Sequence, residues 1–252
     1  METMVRVGAD EVWVEDTGGD GPPVVLLHEG VGDSRIWDPV LPLLNDYRVV
    51  RYDCRGYGRS PASTERYTQL GDFVAVLDKL GLAAVTPMGC SMGGGTAAGF
   101  ALAQPDRMAG LVLGCAGFPG WAPPPEPDLA ATEAAAEAGD LEPMIEVSLR
   151  LWAASGADET VTTLMRDASR AWLSEDGHEQ PDEPVLDRLD GIRTPTVLLL
   201  GDRDPPSLIE ANEAAARRIP GCRLVRLPGV DHYPTLRAPQ AFADAVREVR
   251  PF

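Results

Sequence analysis

The chain is short of positive charge. Its 22 lysines and arginines, of which only Lys79 is a lysine, stand against 39 aspartates and glutamates, for a net charge of -17. Nucleic acid rewards clustered basic side chains, so no nucleic-acid partner is expected. The acidic residues are spread along the chain, which describes a solvated surface rather than an acidic tail. Cysteine is scarce as well. Cys54, Cys90, Cys115 and Cys222 form no C-x-x-C pair and have no histidine at ligand spacing, so buried reduced thiols are expected, with no metal and no cofactor. No apolar run approaches the roughly 18 residues of a membrane span, and no membrane association is expected. The opening METMVRVGADEVWVED lacks a basic segment followed by an apolar one, so no secretory signal is legible and the cytoplasm is the expected location. Histidine is limited to His28, His178 and His232, and chemistry that needs an imidazole must draw on these.

What is present is enough apolar material for a sizeable core: 44% of 252 residues are hydrophobic and 24% charged, which excludes a disordered chain. VVLLH (24–28), RVVRYD (48–53), TPMGCS (86–91), GLVLGCAG (110–117), TVLLLGD (196–202) and CRLVRLPG (222–229) are short β-prone segments, several apolar without alternation. Strands of a parallel sheet covered on both faces have that pattern. Between them lie helical stretches: IWDPVLPLL, YTQLGDFVAVLDKLG, MGGGTAAGFALAQ, SLIEANEAAARRI and PQAFADAVREV. The alternation predicts an α/β fold, a doubly wound and mostly parallel sheet. The rhythm breaks after AGFPG, where residues 121–128 hold four prolines and are followed by helical segments without a convincing strand. Residues 120–188 are therefore expected to form a small helical cap inserted into a core of 1–119 and 189–252.

The strongest motif is GCSMG, residues 89–93, a Gly-x-Ser-x-Gly between an apolar strand and a helix of small residues. A sharp strand-to-helix turn strains the serine backbone and needs residues without bulk two before and two after it, which lifts Ser91 into the open. The competing reading, a phosphate cradle, lacks the lysine of a P-loop.

At this point the chain resembles the α/β-hydrolase family over nearly its full length. YDCRGYGRS (52–60) is similar to that family's Asp-x-Arg-Gly-x-Gly-x-Ser segment, GDRDPP (201–206) to its acid loop and PGVDHYPTLRAPQAF (228–242) to its histidine loop. The resemblance implies catalytic residues in the order Ser91, Asp204, His232. A serine hydroxyl is a poor nucleophile until a base takes its proton, which assigns His232 as base and then acid, with Asp204 orienting the ring. Asp202 is the competing acid. Asp231 departs from the family pattern and is expected either to be solvated or to raise the pKa of His232. His178, in SEDGHEQPDE, is expected at the surface. By resemblance His28 supports the oxyanion loop, and the oxyanion hole takes backbone N–H groups from Gly30 and Met92. Asp53, Arg55 and Ser60 are expected to fix a turn.

Serine at the elbow disfavours the family's epoxide hydrolases and haloalkane dehalogenases, which attack with aspartate. The similarity is greatest to carboxylesterases and enol-lactone hydrolases, so the expected activity is cleavage of a small-molecule ester or lactone through an acyl-enzyme. A carbon-carbon bond hydrolase or an acyltransferase would keep the same triad, and a binding protein of the same fold would lack turnover. Trp37, Phe118, Trp121, Met144, Trp152 and Trp172 are candidates for an apolar pocket, Trp121 foremost, with Glu29 a further candidate at its edge; Arg35 is expected at the surface. The pattern specifies no oligomeric state. Glu29 stands where the family usually has glycine. A carboxylate aimed at the oxyanion would oppose the charge that catalysis creates, so its side chain is expected to turn toward solvent or an arginine.

Overall fold

The computed structural model describes residues 1–123 and 127–249. Eight strands form one sheet: β1 (Glu2–Val7), β2 (Asp10–Asp16), β3 (Pro23–Leu27), β4 (Arg48–Tyr52), β5 (Thr86–Cys90), β6 (Leu111–Gly114), β7 (Thr196–Gly201) and β8 (Arg223–Leu227). Their spatial order is β1-β2-β4-β3-β5-β6-β7-β8. All pairings from β4 to β8 are parallel, while β1 and β2 pair antiparallel with each other and β2 antiparallel with β4. The fold is thus the expected mostly parallel α/β sheet.

β3 shows how the sheet is held. Val24 and Leu26 enter one hydrophobic cluster and Val25 and Leu27 the other, because successive side chains of a strand point to opposite faces. Helices cover both sides: α1 (Gln69–Lys79), α2 (Met92–Ala103) and α6 (Pro206–Arg218) contribute to the cluster of Val25 and Leu27, α8 (Pro239–Val249) to that of Val24 and Leu26, and α7 (Pro234–Arg237) leads into α8. α2 is buried along most of its length, as a helix of Gly, Ala and Phe without a polar face must be. Between β6 and β7 run α3 (Pro127–Ala138), α4 (Leu141–Trp152) and α5 (Glu159–Leu173). α4 and α5 bury one stripe each, including Met144, Ile145, Val161, Leu164 and Met165, whereas α3 buries only Thr132.

Two elements differ from expectation. IWDPVLPLL forms two short 3-10 turns, Ser34–Trp37 and Leu41–Leu43, because Pro39 and Pro42 remove amide donors that an α-helix would need. Residues 2–16, to which the sequence pattern assigned no strand, form the β1-β2 hairpin. Its turn is enabled by Gly8 at φ +61°, and Val5, Val7, Val12, Trp13 and Val14 are buried.

Candidate active site

Ser91 sits between β5 and α2 at φ +47°, ψ -115°, a backbone conformation that a non-glycine residue adopts only when its surroundings impose it. The imposition is visible in its neighbours. A Cβ on Gly89 would lie 2.2 Å from the Gly93 carbonyl oxygen, and one on Gly93 would lie 2.4 Å from that of Leu27. Glycine at both positions is therefore a steric requirement of bringing β5, α2 and β3 together. The Ser91 N–H donates to Gly114 O at 2.9 Å, and the Gly93 N–H to His28 O at 3.1 Å, which fixes the turn against two adjoining strands.

The loops after β7 and β8 bring the other two groups to it. His232 Nε2 lies 2.8 Å from Ser91 Oγ, and Nδ1 lies 2.7 Å from Asp204 Oδ1. A carboxylate can only accept, so Nδ1 carries the proton and Nε2 is left to accept from the serine hydroxyl. His232 and Asp204 are buried, whereas Ser91 is half-buried. Burial works against the imidazolium, but the adjoining Cys115 sulfur and the Asp204 carboxylate outweigh it, and the His232 pKa is pushed up. Asp202 plays a different part, since its exposed carboxylate accepts the Gly229 N–H at 2.7 Å and holds the turn. Asp231 is neither solvated nor free. It is fully buried, accepts the N–H groups of Ser155 and Tyr233 at 2.9 and 3.2 Å, and pairs with Arg237 at 3.3 Å, so it clamps the histidine loop.

On the other side of Ser91, Met92 is the first residue of α2, so its N–H has no intrahelical acceptor. A Cβ on Gly30 would lie 3.9 Å from Met92 Sδ, which places the two proposed oxyanion residues side by side. The loop between them and β3 is pinned from below. His28 Nδ1 lies 2.7 Å from Glu29 O, its Nε2 accepts the Cys54 N–H at 3.0 Å, and the Tyr233 hydroxyl donates to Val31 O at 2.9 Å. Asp53 fixes the neighbouring turn by accepting the N–H groups of Ser34 and Arg59, both at 2.9 Å. Arg55 is bidentate to Asp72 at 2.7 Å, and Ser60 Oγ donates to Asp53 O at 2.6 Å. His178 Nδ1 lies 3.2 Å from Ser63 O, far from this constellation in role.

Glu29 corrects an expectation. Its side chain turns neither to solvent nor to an arginine: the residue is fully buried, and neither carboxyl oxygen has a hydrogen-bond partner. It lies near the space over Gly32, among Ile36 and Leu164. Burial holds its pKa well above the usual carboxylate range, and the charges of Asp33, Asp204 and Asp231 add to the rise. That shift favours the neutral acid, a form that does not oppose a developing oxyanion.

The aromatic candidates separate into two groups. Trp152, at the end of α4, packs its ring on His232 with centroids 4.4 Å apart, and its carbonyl accepts the His232 N–H at 3.2 Å. Trp172 of α5 lies beside Gly30 and donates Nε1–H to the Tyr57 hydroxyl at 2.8 Å. Trp37 is instead enclosed in the core edge-on to Phe242, because its 3-10 turn directs it beneath the sheet. Phe118 is buried in the other core cluster, and Trp121 lines a separate surface cavity of about 350 Å³ with Leu186, Ser207 and Glu210. Met144 is buried within α4. Arg35, 41% exposed, bridges Asp33 and Asp167 at 2.6 and 2.7 Å and so ties the loop after β3 to α5. It also borders a cavity of about 710 Å³ whose lining includes Arg51, Arg59 and Arg170 but not Ser91. Cys115 was not among the expected site residues. Its place against His232 depends on a strand end far away in sequence, for which no local motif exists.

Comparison with known proteins bears on the family and the fold. A profile of the Alpha/beta hydrolase family matches residues 24–245. The chain is 26% identical to 3-oxoadipate enol-lactonase 1 of Acinetobacter baylyi, over 91% of this chain and 89% of that one. It is 28% identical to a zearalenone hydrolase of Cladophialophora bantiana, over 94% and 91%. In relatives from Bacillus subtilis and Caulobacter vibrioides the alignment spans only 35% and 48% of the relative's own length. The crystal structure of the enol-lactonase from Burkholderia xenovorans LB400 superposes with a TM-score of 0.81 at 23% identity, covering 98% of this chain and 99% of that one, a likeness of fold. A profile match of this extent settles the family: the chain belongs to the alpha/beta hydrolases.

Proposed function

We propose that this protein is a serine hydrolase that cleaves a small-molecule carboxylic ester or lactone through an acyl-enzyme on Ser91. The observation that carries the reading is the unbroken line of hydrogen bonds from Ser91 Oγ through His232 to Asp204, at 2.8 and 2.7 Å. In the first half-reaction the Oγ proton passes to Nε2 as Oγ attacks the carbonyl carbon, and the oxygen that gains charge accepts from the N–H groups of Gly30 and Met92. The intermediate collapses with cleavage of the carbon–oxygen bond, and the imidazolium gives its proton to the leaving alkoxide. In a lactone that alcohol stays tethered to the acyl chain. Water then gives a proton to Nε2 and attacks the acyl carbon, and Ser91 leaves with the proton returned to it. Asp204 remains ionised throughout and stabilises the imidazolium. Trp152, packed on His232, and Trp172, beside Gly30, come from the helices between β6 and β7 and would offer apolar surface to the acyl or leaving group. The enol-lactonase and zearalenone hydrolase among the full-length relatives support ester and lactone bonds over other acyl derivatives.

The test is covalent labelling with a fluorophosphonate, the adduct located by mass spectrometry, together with turnover of aryl esters and lactones. The expected results are an adduct on Ser91 and a loss of roughly 10⁴-fold or more in kcat for Ser91→Ala. An unlabelled protein, with Ser91→Ala as active as the unaltered chain, would overturn the proposal.

A further inference from the structure

Among the described residues, two that are not glycine have φ in the left-handed range: Ser91, and Cys115 at +37°. Cys115 follows β6, and its backbone is clamped on both sides. Its N–H donates to Leu199 O at 2.9 Å, while the next residue, Ala116, gives its N–H to Asn212 Oδ1 at 2.8 Å and accepts from Asn212 Nδ2 at 2.9 Å. This places a thiol, unused by the reaction above, against the acid and base of the triad. The Cys115 sulfur, a carboxylate oxygen of Asp204 and a ring nitrogen of His232 all lie within 4.8 Å of one another, and all three residues are buried. The other Asp204 oxygen, Oδ2, is enclosed and has no hydrogen-bond partner, although the side chain is fully buried. A buried acceptor with an unused lone pair, next to a thiol and an imidazole, is an incomplete set of interactions.

We propose that Cys115, Asp204 and His232 form an inhibitory site for a thiophilic divalent cation, zinc or cadmium. The donor set of sulfur, nitrogen and carboxylate oxygen is the one zinc prefers, at bond lengths of about 2.0 to 2.3 Å that neighbouring atoms at these separations meet with small side-chain rotations. The proton balance is explicit. The thiol loses its proton to solvent and the sulfur binds the cation as thiolate. The Nδ1 proton of His232 moves to Nε2, so that Nδ1 coordinates, and Asp204 is already ionised. Starting from the neutral imidazole one proton is released, a second leaves where His232 begins as imidazolium, and the two negative ligands neutralise the cation. The cation replaces the Nδ1–H bond to Asp204, and a protonated Nε2 can no longer accept from Ser91. Catalysis therefore stops without any change at the serine. Cys90 has its thiol beside that of Cys115 and adds a second sulfur at the edge of the site.

The site exists or fails independently of ester hydrolysis; only its inhibitory consequence rests on the proposed function. The experiment titrates the chelator-treated full chain with cadmium or zinc chloride. Cadmium binding is followed by the ultraviolet charge-transfer absorbance of a cadmium–thiolate bond, and aryl-ester turnover is followed in parallel. The expected result is one equivalent of cadmium bound, turnover lost in proportion and restored by chelator, and affinity that rises with pH because the ligands must give up protons to bind. Cys115→Ser is expected to raise the inhibitory concentration at least tenfold, measured against its own metal-free turnover; a cysteine change at the partly exposed Cys222 leaves the inhibitory concentration unchanged. Cys115→Gly, which accepts φ +37° without strain, serves if the serine variant does not fold. Absence of the absorbance band from the unaltered chain, or an unshifted titration in Cys115→Ser or Cys115→Gly, would overturn the proposal.

Discussion

Replacing Glu29 with glutamine tests whether a neutral acid underlies the oxyanion loop. The side chain is fully buried with both oxygens unpartnered, and its pKa is held well above the ordinary 4.5. In the unfolded chain it titrates near that ordinary value, so above it the unfolded state gives up a proton that the folded state keeps. Folding then becomes less favourable as pH rises, until the raised native pKa is passed. The slope approaches ~1.4 kcal/mol per pH unit, or roughly 2.5 kcal/mol between pH 5 and pH 7 for a carboxyl that keeps its proton across that window. Glutamine has nearly the same shape and does not titrate. The stability of Glu29→Gln relative to the unaltered chain should therefore grow with pH by that amount, a rise in relative Tm of about 5 to 10 °C for a chain of this size. The measurement is paired urea or thermal unfolding of both proteins at pH 5, 6 and 7. Parallel pH dependences would refute the neutral-acid assignment. The same variant should keep ester turnover within a few-fold, because a neutral group is exchanged for a neutral group; a loss of a hundredfold would give Glu29 a part in the chemistry.

Three further outcomes follow from the site's geometry. Asp204→Asn should lower kcat about 10⁴-fold by leaving Nδ1 with the wrong tautomer, whereas Asp202→Asn should stay within a few-fold, since Asp202 holds only the Gly229 N–H; steady-state kinetics on one aryl ester compares them. The pH profile of kcat/KM should fall on its acid side at a pKa above the ordinary 6.5 of imidazole, because the base form of His232 is lost as pH drops through its raised value. A limb at or below 6.5 contradicts the coupling to Asp204 and Cys115. Gly93→Ala brings a Cβ to 2.4 Å from Leu27 O and should cost about 1–3 kcal/mol or more in urea unfolding, with turnover lost alongside as α2 shifts from β3. An alanine variant as stable and active as the parent would show that the elbow is looser than its geometry implies.

Local patterns settle a good part of this protein. Apolar runs without alternation specify strands covered on both faces, and Gly89, Ser91 and Gly93 specify a strained turn because their spacing is dictated by the approach of one strand and one helix. Both constraints act between residues close in sequence, so both are legible there. The β1-β2 hairpin escaped for a weaker reason: its alternation is short and interrupted by charge, and its burial depends on pairing with β4 and packing into the core. Asp202 and Asp204 are chemically identical in the sequence, and only the direction of the loop after β7 gives one the imidazole and the other a turn. The tryptophans are likewise indistinguishable by composition. Trp152 meets His232 and Trp37 meets Phe242 because of where α4 and a 3-10 turn are docked. Glu29 and Cys115 depend most on tertiary structure. Whether a carboxyl is charged, and whether a thiol can share a cation with a histidine, are set by desolvation and by neighbours that the fold brings in from distant loops, Asp204 and Asp231 for Glu29 and Asp204 and His232 for Cys115, and that burial has no trace in the residues that flank them.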